Sequence, residues 1–179
     1  MRADPGLISA IQFARLSGFS TIVAVASLHN SDLLKGLGAT HVLDRKLSAD
    51  SLRAESTKIA GGLFDIAYDA VSLPETLPIS YSLTKPHGDL VTLLPPGNVQ
   101  DGDEASGKRV HMASAPYFVM PVNHEICDSL LESLPRLIEA GDIKVRLSLF
   151  LTPVILNECV NSLYALKYFL MDCTAFLLG

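Results

Sequence analysis

Long apolar runs are missing from this sequence. The nearest approach, residues 163–178, is broken by Lys167 and Asp172, whereas a membrane-spanning helix needs about 18 uninterrupted apolar residues. Basic clusters are equally scarce. The only adjacent basic pairs are Arg45-Lys46 and Lys108-Arg109, and the formal net charge is -5. That balance cannot make the electrostatic stripe a nucleic acid requires, so both pairs are read as solvated surface. Cysteine is sparse and odd in number: Cys127, Cys159 and Cys173 lie far apart with no C-x-x-C spacing. Neither a zinc site nor a secreted disulfide framework follows, and a reducing compartment fits best. At the amino end, Asp4 and Pro5 stand where a signal peptide needs apolar residues. The expectation is a soluble, cytoplasmic protein with no nucleic-acid or membrane partner.

Catalytic signatures are lacking too. There is no G-x-S-x-G elbow, no P-loop and no H-E-x-x-H among the five histidines, His29, His41, His87, His111 and His124. His124 and Cys127 have an H-x-x-C spacing, but a metal would need two more ligands. They read as a helix-surface histidine and a core thiol. No catalytic or metal-binding residue is assigned.

What the sequence does carry is alternation. With 179 residues, 49% hydrophobic and 18% charged, it has material for one domain with a real core. Residues 6–18 place Leu7, Ile11 and Ala14 on one helical face, closed by a glycine. Residues 20–26 are a β-branched run typical of a buried strand. Ser31-Asp32 can cap a helix ending at Gly38, and a short strand follows at 41–43. Ser48 or Asp50 starts another helix, which ends at Gly61-Gly62, and 64–71 is a further strand. A helix is expected over 75–83, begun by Pro74, and a strand over 89–94, stopped by Pro95-Pro96-Gly97. Residues 99–107 read as a loop and 109–114 as a short strand. A helix over 123–140 aligns Ile126, Leu130, Leu134 and Leu137, with Pro135 expected to kink or divide it. Strands alternating with helices of this length imply an α/β fold, a doubly wound Rossmann-like parallel sheet. Its ligands bind at the carboxyl ends of the strands.

In such a fold the residue ending the second strand selects the cofactor. An acid there binds a ribose 2′-hydroxyl, and its absence admits a 2′-phosphate. Residues 20–26 run into Ser27-Leu28-His29-Asn30 with no carboxylate, which favours NADP(H). The glycine signature G-x-G-x-x-G is reduced to Asp4-Pro5-Gly6. The helix dipole favours phosphate at Gly6 and Leu7, and Asp4 beside them repels it. Tyr68-Asp69 ends a strand facing the ligand crevice, but the alternation there makes Tyr68 a packing residue.

The run SAIQFARLSGFSTIVAVASLHNSDLLKGLGATHVLDRK (residues 9–46) resembles the cofactor-domain stretch of medium-chain dehydrogenases/reductases. It is especially similar to the zinc-free fungal group that includes trans-acting enoyl reductases. GLFDIAYDAVSLPET is similar to that family's fourth strand and the turn over the cofactor, GDLVTLLPP to its fifth strand, and LIEAGDIK to the end of its long helix. The resemblance implies Ser27, His29 and Asn30 near the 2′-phosphate and Arg45 beside the adenine ribose. It also implies Ala70 and Val71 along the cofactor, with Leu94 and Pro95 on the nicotinamide side. The implied reaction is hydride transfer from NADPH to an activated alkene or carbonyl.

Three departures accompany it. The family's GroES-like substrate domain has no counterpart here, the first Rossmann strand and most of its glycine loop are lacking, and the likeness ends after Lys144. The expectation is a cofactor-binding fragment cut short at both ends. Residues 1–144 would form a partial Rossmann domain and 145–179 a divergent apolar tail, helical over 157–169. A small-molecule substrate is expected only if a catalytic domain is supplied, and turnover by these residues alone is not expected. In the order 3-2-1-4-5-6 the missing strand is central. Strands 20–26 and 64–71 must then pair directly, receive an intruding segment such as the tail, or leave a marginal chain prone to self-association. Two other functions remain open. A non-catalytic interaction module would expose the tail and an open sheet slot. A methyltransferase-like domain is suggested loosely by FDIAYDAVSLPE, and the absent glycine-rich loop counts against it.

Overall fold

The β-branched and apolar runs pair side by side in one direction. The computed structural model describes residues 4–99, 103–113, 124–144 and 174–179. Its strands are β1 (Thr21–Ala26), β2 (His41–Asp44), β3 (Phe64–Asp69), β4 (Thr84–Thr92), β5 (Arg109–Met112) and β6 (Thr174–Leu178). They form one parallel sheet in the order β2-β1-β6-β3-β4-β5. The described helices are α1 (Pro5–Leu16), α2 (Ser31–Leu37), α3 (Ala49–Ala60), α4 (Leu77–Leu83) and α5 (His124–Glu139). One apolar cluster joins α1, α2 and α5 to the sheet, and a second joins α3 and α4 to the opposite face. The doubly wound α/β reading holds.

The slot that sequence reasoning left vacant is filled by an intruding segment. β6, drawn from the apolar tail, lies between β1 and β3, pairing Thr21–Val25 on one side and Ile66–Asp69 on the other. Its side chains alternate between the two cores. Ala175 and Leu177 join the α1 side, Phe176 and Leu178 the α3 side. A strand buried on both faces should be apolar at every position, as 175–178 are. The expected tail helix over 157–169 lies outside the described residues.

Most helix ends follow from their residues. Asp4 caps α1 and Ser48 caps α3, whose Oγ accepts the Ser51 N–H. The left-handed Gly61 closes α3 where a side chain would be strained. Gln12, buried in α1, exchanges hydrogen bonds with the Lys144 backbone and so ties α1 to the segment after α5. Arg15 likewise donates to the Asp142 carbonyl. α5 runs through Pro135 as one helix, so of the expected kink or division the division does not occur. Leu130 is buried, with Leu134 and Leu137 packed beside it; the Ile126 side chain lies outside the described residues.

Four boundaries differ from expectation. α2 is preceded by a 3₁₀ turn at Leu28–Asn30, and its cap residue is Asn30, not Ser31-Asp32, with no side-chain bond. α4 starts at Leu77 with Pro78 in its first turn. Pro74 precedes the helix, in a turn where Thr76 Oγ1 accepts the Leu73 N–H. β4 starts at Thr84, because residues 85–88 bulge between the Phe64↔Thr84 and Ile66↔Asp89 pairs. Such a bulge accommodates Pro86, and a Cβ on Gly88 would lie 2.9 Å from the Asp65 carbonyl. β3 stops at Asp69 because that side chain takes over the backbone. Its Oδ1 accepts the N–H groups of Val71 (3.0 Å) and Ser72 (2.7 Å), and its Oδ2 accepts the Ser80 hydroxyl. Ser72, at φ 52°, is held in this unusual conformation by those bonds and by donating its own hydroxyl to the Asp69 carbonyl.

Two predictions follow from these contacts. Phe176 is fully buried, with its ring 5.5 Å from that of Phe64. Phe176→Ala should cost about 3–5 kcal/mol in urea unfolding, and a loss below about 1 kcal/mol would contradict the central seating of β6. Burial holds the Asp69 carboxyl above the ordinary carboxylate range, against the opposing hydrogen bonds from Ser72, Thr76, Val71 and Ser80. The folded chain therefore keeps this proton to higher pH than the unfolded chain. The resulting stability is fully present below the unfolded pKa of about 4 and is lost as the pH rises through the folded value. Asp69→Asn keeps the Oδ1 acceptor but cannot ionise. Wild type should lose stability relative to this variant as the pH rises from about 4 through the folded value; parallel pH profiles would refute the assignment.

Candidate functional site

Parallel strands gather their carboxyl ends on one edge, and helix amino ends meet them there. At the end of β1 the chain turns through Ser27, whose carbonyl accepts the Asn30 N–H at 2.9 Å. Ser27 and Asn30 are half-buried and His29 is exposed. Arg45 follows β2 directly and is exposed. Its backbone N–H donates to the Ala26 carbonyl at 3.0 Å, which sets it beside Ser27. The acid ending β2, Asp44, is engaged in its own turn, accepting the Lys46 N–H at 3.0 Å.

The ends of β6 and β3 and the start of α1 form a second group. The Ala70 N–H donates to the Leu178 carbonyl at 2.9 Å, and the Gly179 N–H to the Val25 carbonyl at 3.2 Å. Gly6, buried in the first turn of α1, faces them. A Cβ built on it would lie 3.4 Å from Tyr68 Oη and 3.7 Å from Ala70 Cβ. Gly179 packs equally closely, since its Cβ would fall 2.7 Å from that of Leu7. Tyr68 is buried in the core, as its alternation required. Val71 stands next along the Asp69 turn.

A third group lies beyond β4. The Leu93 N–H donates to Ser72 Oγ at 2.8 Å, tying the end of β4 to the β3 turn. Leu94 and Pro95 follow, both exposed. All nine residues singled out from the sequence therefore lie on one edge, in three groups. Gly6 lies against Ala70, with Val71 next along the chain. Arg45 stands beside Ser27, with His29 and Asn30 in the turn that follows. Leu94 and Pro95 stand apart from the Ser27 group, with β6 and β3 between them.

Sequence reasoning placed Asp69 at the ligand edge but missed the polar floor it forms with Ser72, Ser80 and Thr92. All four are buried, and Thr92 pairs with Asp69 in register. Thr92 Oγ1 has no hydrogen-bond partner. The spacing Asp69-x-x-Ser72 was the available signal, since Asp and Ser after a strand favour side-chain-to-backbone turns. Among the described residues no cluster of three or more His, Cys, Asp or Glu side chains suits a metal ion. No described helix is long and apolar enough to cross a membrane.

Comparison with known proteins bears on the fold. The family model for zinc-binding dehydrogenases matches residues 8–114, more than half of the chain and most of α1 through β5. No curated protein matches the sequence. Among solved structures, benzyl alcohol dehydrogenase from Acinetobacter calcoaceticus is similar at 23% identity and TM-score 0.59, over 75% of this chain and 37% of that one. Mycobacterial Rv1454c complexed with NADPH is similar at 19% identity and TM-score 0.63, over 94% of this chain and 52% of that one. Quinone oxidoreductase from Pseudomonas syringae pv. Tomato is similar at 15% identity and TM-score 0.56, over 96% and 53%. These likenesses show the fold, and the chain spans between about a third and about half of the length of those proteins. By the matched residues and the sheet they build, the chain belongs to the zinc-binding dehydrogenase family of medium-chain dehydrogenases/reductases.

Proposed function

We propose that this chain holds NADP(H) along the carboxyl edge of its sheet, for hydride transfer to an activated alkene or carbonyl. The observation that carries the cofactor choice is the end of β1. There Ser27, His29 and Asn30 turn beside Arg45, and no carboxylate follows the strand to receive a ribose 2′-hydroxyl. A cation and several hydrogen-bonding groups suit a 2′-phosphate instead. The fit continues at Gly6, where the absence of a side chain leaves α1 close against Ala70. It continues again at Leu94 and Pro95, whose exposed apolar surface suits the face of a nicotinamide. When bound, the cofactor supplies the hydride. These residues supply position and an apolar wall. The likeness of the 9–46 run to zinc-free enoyl reductases favours a conjugated alkene or carbonyl as acceptor. A substrate domain beyond these residues would enclose it.

Calorimetric titration should show NADPH binding more tightly than NADH. Arg45→Ala should weaken NADPH by about tenfold, the loss of one charge-assisted contact, and leave NADH unchanged. Equal or tighter binding of NADH would sink the 2′-phosphate reading.

A further inference from the structure

The first turn of α1 is the one part of this edge that carries an acid where an anionic ligand group belongs. An open helix start offers its first backbone N–H groups and the positive end of its dipole to an anion. In α1 part of this set is missing or already engaged. Pro5 has no N–H. The Leu7 N–H donates to Asp4 Oδ1 at 3.1 Å, and the Ile8 N–H donates to the Asp4 backbone carbonyl at 3.1 Å. Asp4 Oδ1 also lies 3.0 Å from the place a Cβ on Gly6 would take. The carboxylate is thus folded over the glycine that keeps this spot open. From the other side, Gly179 closes the approach by packing on Leu7, and its own N–H is bonded to Val25. The end of the central strand and the start of α1 are in contact, and Asp4 places its negative charge at that start.

We infer that Asp4 is a built-in competitor for the phosphate end of the site and so sets which nucleotides the chain prefers. Its carboxylate occupies the Leu7 N–H that a pyrophosphate would otherwise receive, and its charge opposes any phosphate brought to Gly6. The Ser27–Arg45 group at the end of β1 is untouched by it. A ligand whose only phosphate is on the adenosine 2′-oxygen meets no such opposition, whereas a whole dinucleotide must displace Asp4. This inference rests on the NADP(H) reading of the edge and specifies where that reading is weakened.

The test compares the full chain with Asp4→Asn and Asp4→Ser, both neutral and both good helix caps, by titrating NADPH and adenosine 2′-monophosphate into each at low salt. Melting temperatures check that α1 keeps its cap. Removing one like charge at contact distance should tighten NADPH by about fivefold or more, and adenosine 2′-monophosphate should bind all three proteins alike. If NADPH affinity does not change, or both ligands tighten together, Asp4 is not the competitor, and the cofactor reading stands by itself. If neither ligand binds any of the three proteins, the NADP(H) reading fails and this inference with it.

Discussion

Every part of this domain depends on the backbone pairing of β6 with both of its neighbours. β1 and β3 each carry apolar side chains on both faces, so their inner edges are sealed from water and their peptide groups need protein partners. A row of unpaired buried groups costs about 1–3 kcal/mol each, and a handful would rival the stability of an ordinary domain, about 5–15 kcal/mol. β6 satisfies both edges at once. It also joins the two apolar clusters, because its alternating side chains lie in one and then the other. Without it the sheet would be two half-sheets, β2-β1 and β3-β4-β5, sharing no strand.

The same pairing builds the functional edge. The end of β6 anchors the Ala70 N–H through the Leu178 carbonyl, while Gly179 bonds to Val25 and packs against Leu7. β1, β3 and α1 are thereby brought to one place by a strand distant from all three in the sequence. The Asp69 turn extends this edge outward. One buried carboxyl takes two backbone N–H groups that a continuing strand would have paired elsewhere, and Ser72 passes the connection to Leu93 and β4. A carboxyl enclosed in this way is harder to ionise, and the loss is accepted because its oxygens replace missing ladder bonds.

How much of this was legible depended on whether the cause was local. β1 and β3 are β-branched or apolar runs with polar borders, and α1 and α3 have short polar caps and glycine stops, so periodicity and capping sufficed. The slot between β1 and β3 was legible by topology, since the family order places another strand between them. What fills it was legible only as an alternative. Residues 174–178 sit in an apolar tail whose composition suits helix and strand equally, and only the vacant edges decide between them. The late start of α4 and the early start of β4 were hidden for a related reason. Pro74 and Pro86 are ambiguous by themselves, and their roles follow from the Thr76 turn and from a bulge against β3. The nine candidate residues came mostly from the family resemblance, and they lie on the edge that strand direction assigns to ligands. The polar floor was not legible, because Asp69, Ser80 and Thr92 come together only when α4 folds back on β3 and β4.

Asp4 shows how a locally favourable choice can act against a distant requirement. As a helix cap it is well suited, accepting an orphan N–H and placing negative charge at the positive end of the dipole. Those same properties make it a substitute for a phosphate, since both groups satisfy the helix start in the same way. A glycine-rich loop avoids the conflict by bringing backbone alone to the helix end. Here Gly179 from the end of β6 packs on Leu7, and the Leu7 N–H is satisfied by the Asp4 side chain. Helix stability and affinity for a phosphate at Gly6 therefore draw on the same N–H group and oppose each other. At the end of β1 no such conflict arises, because the Ser27 turn is closed by its own backbone, the Asn30 N–H donating to the Ser27 carbonyl.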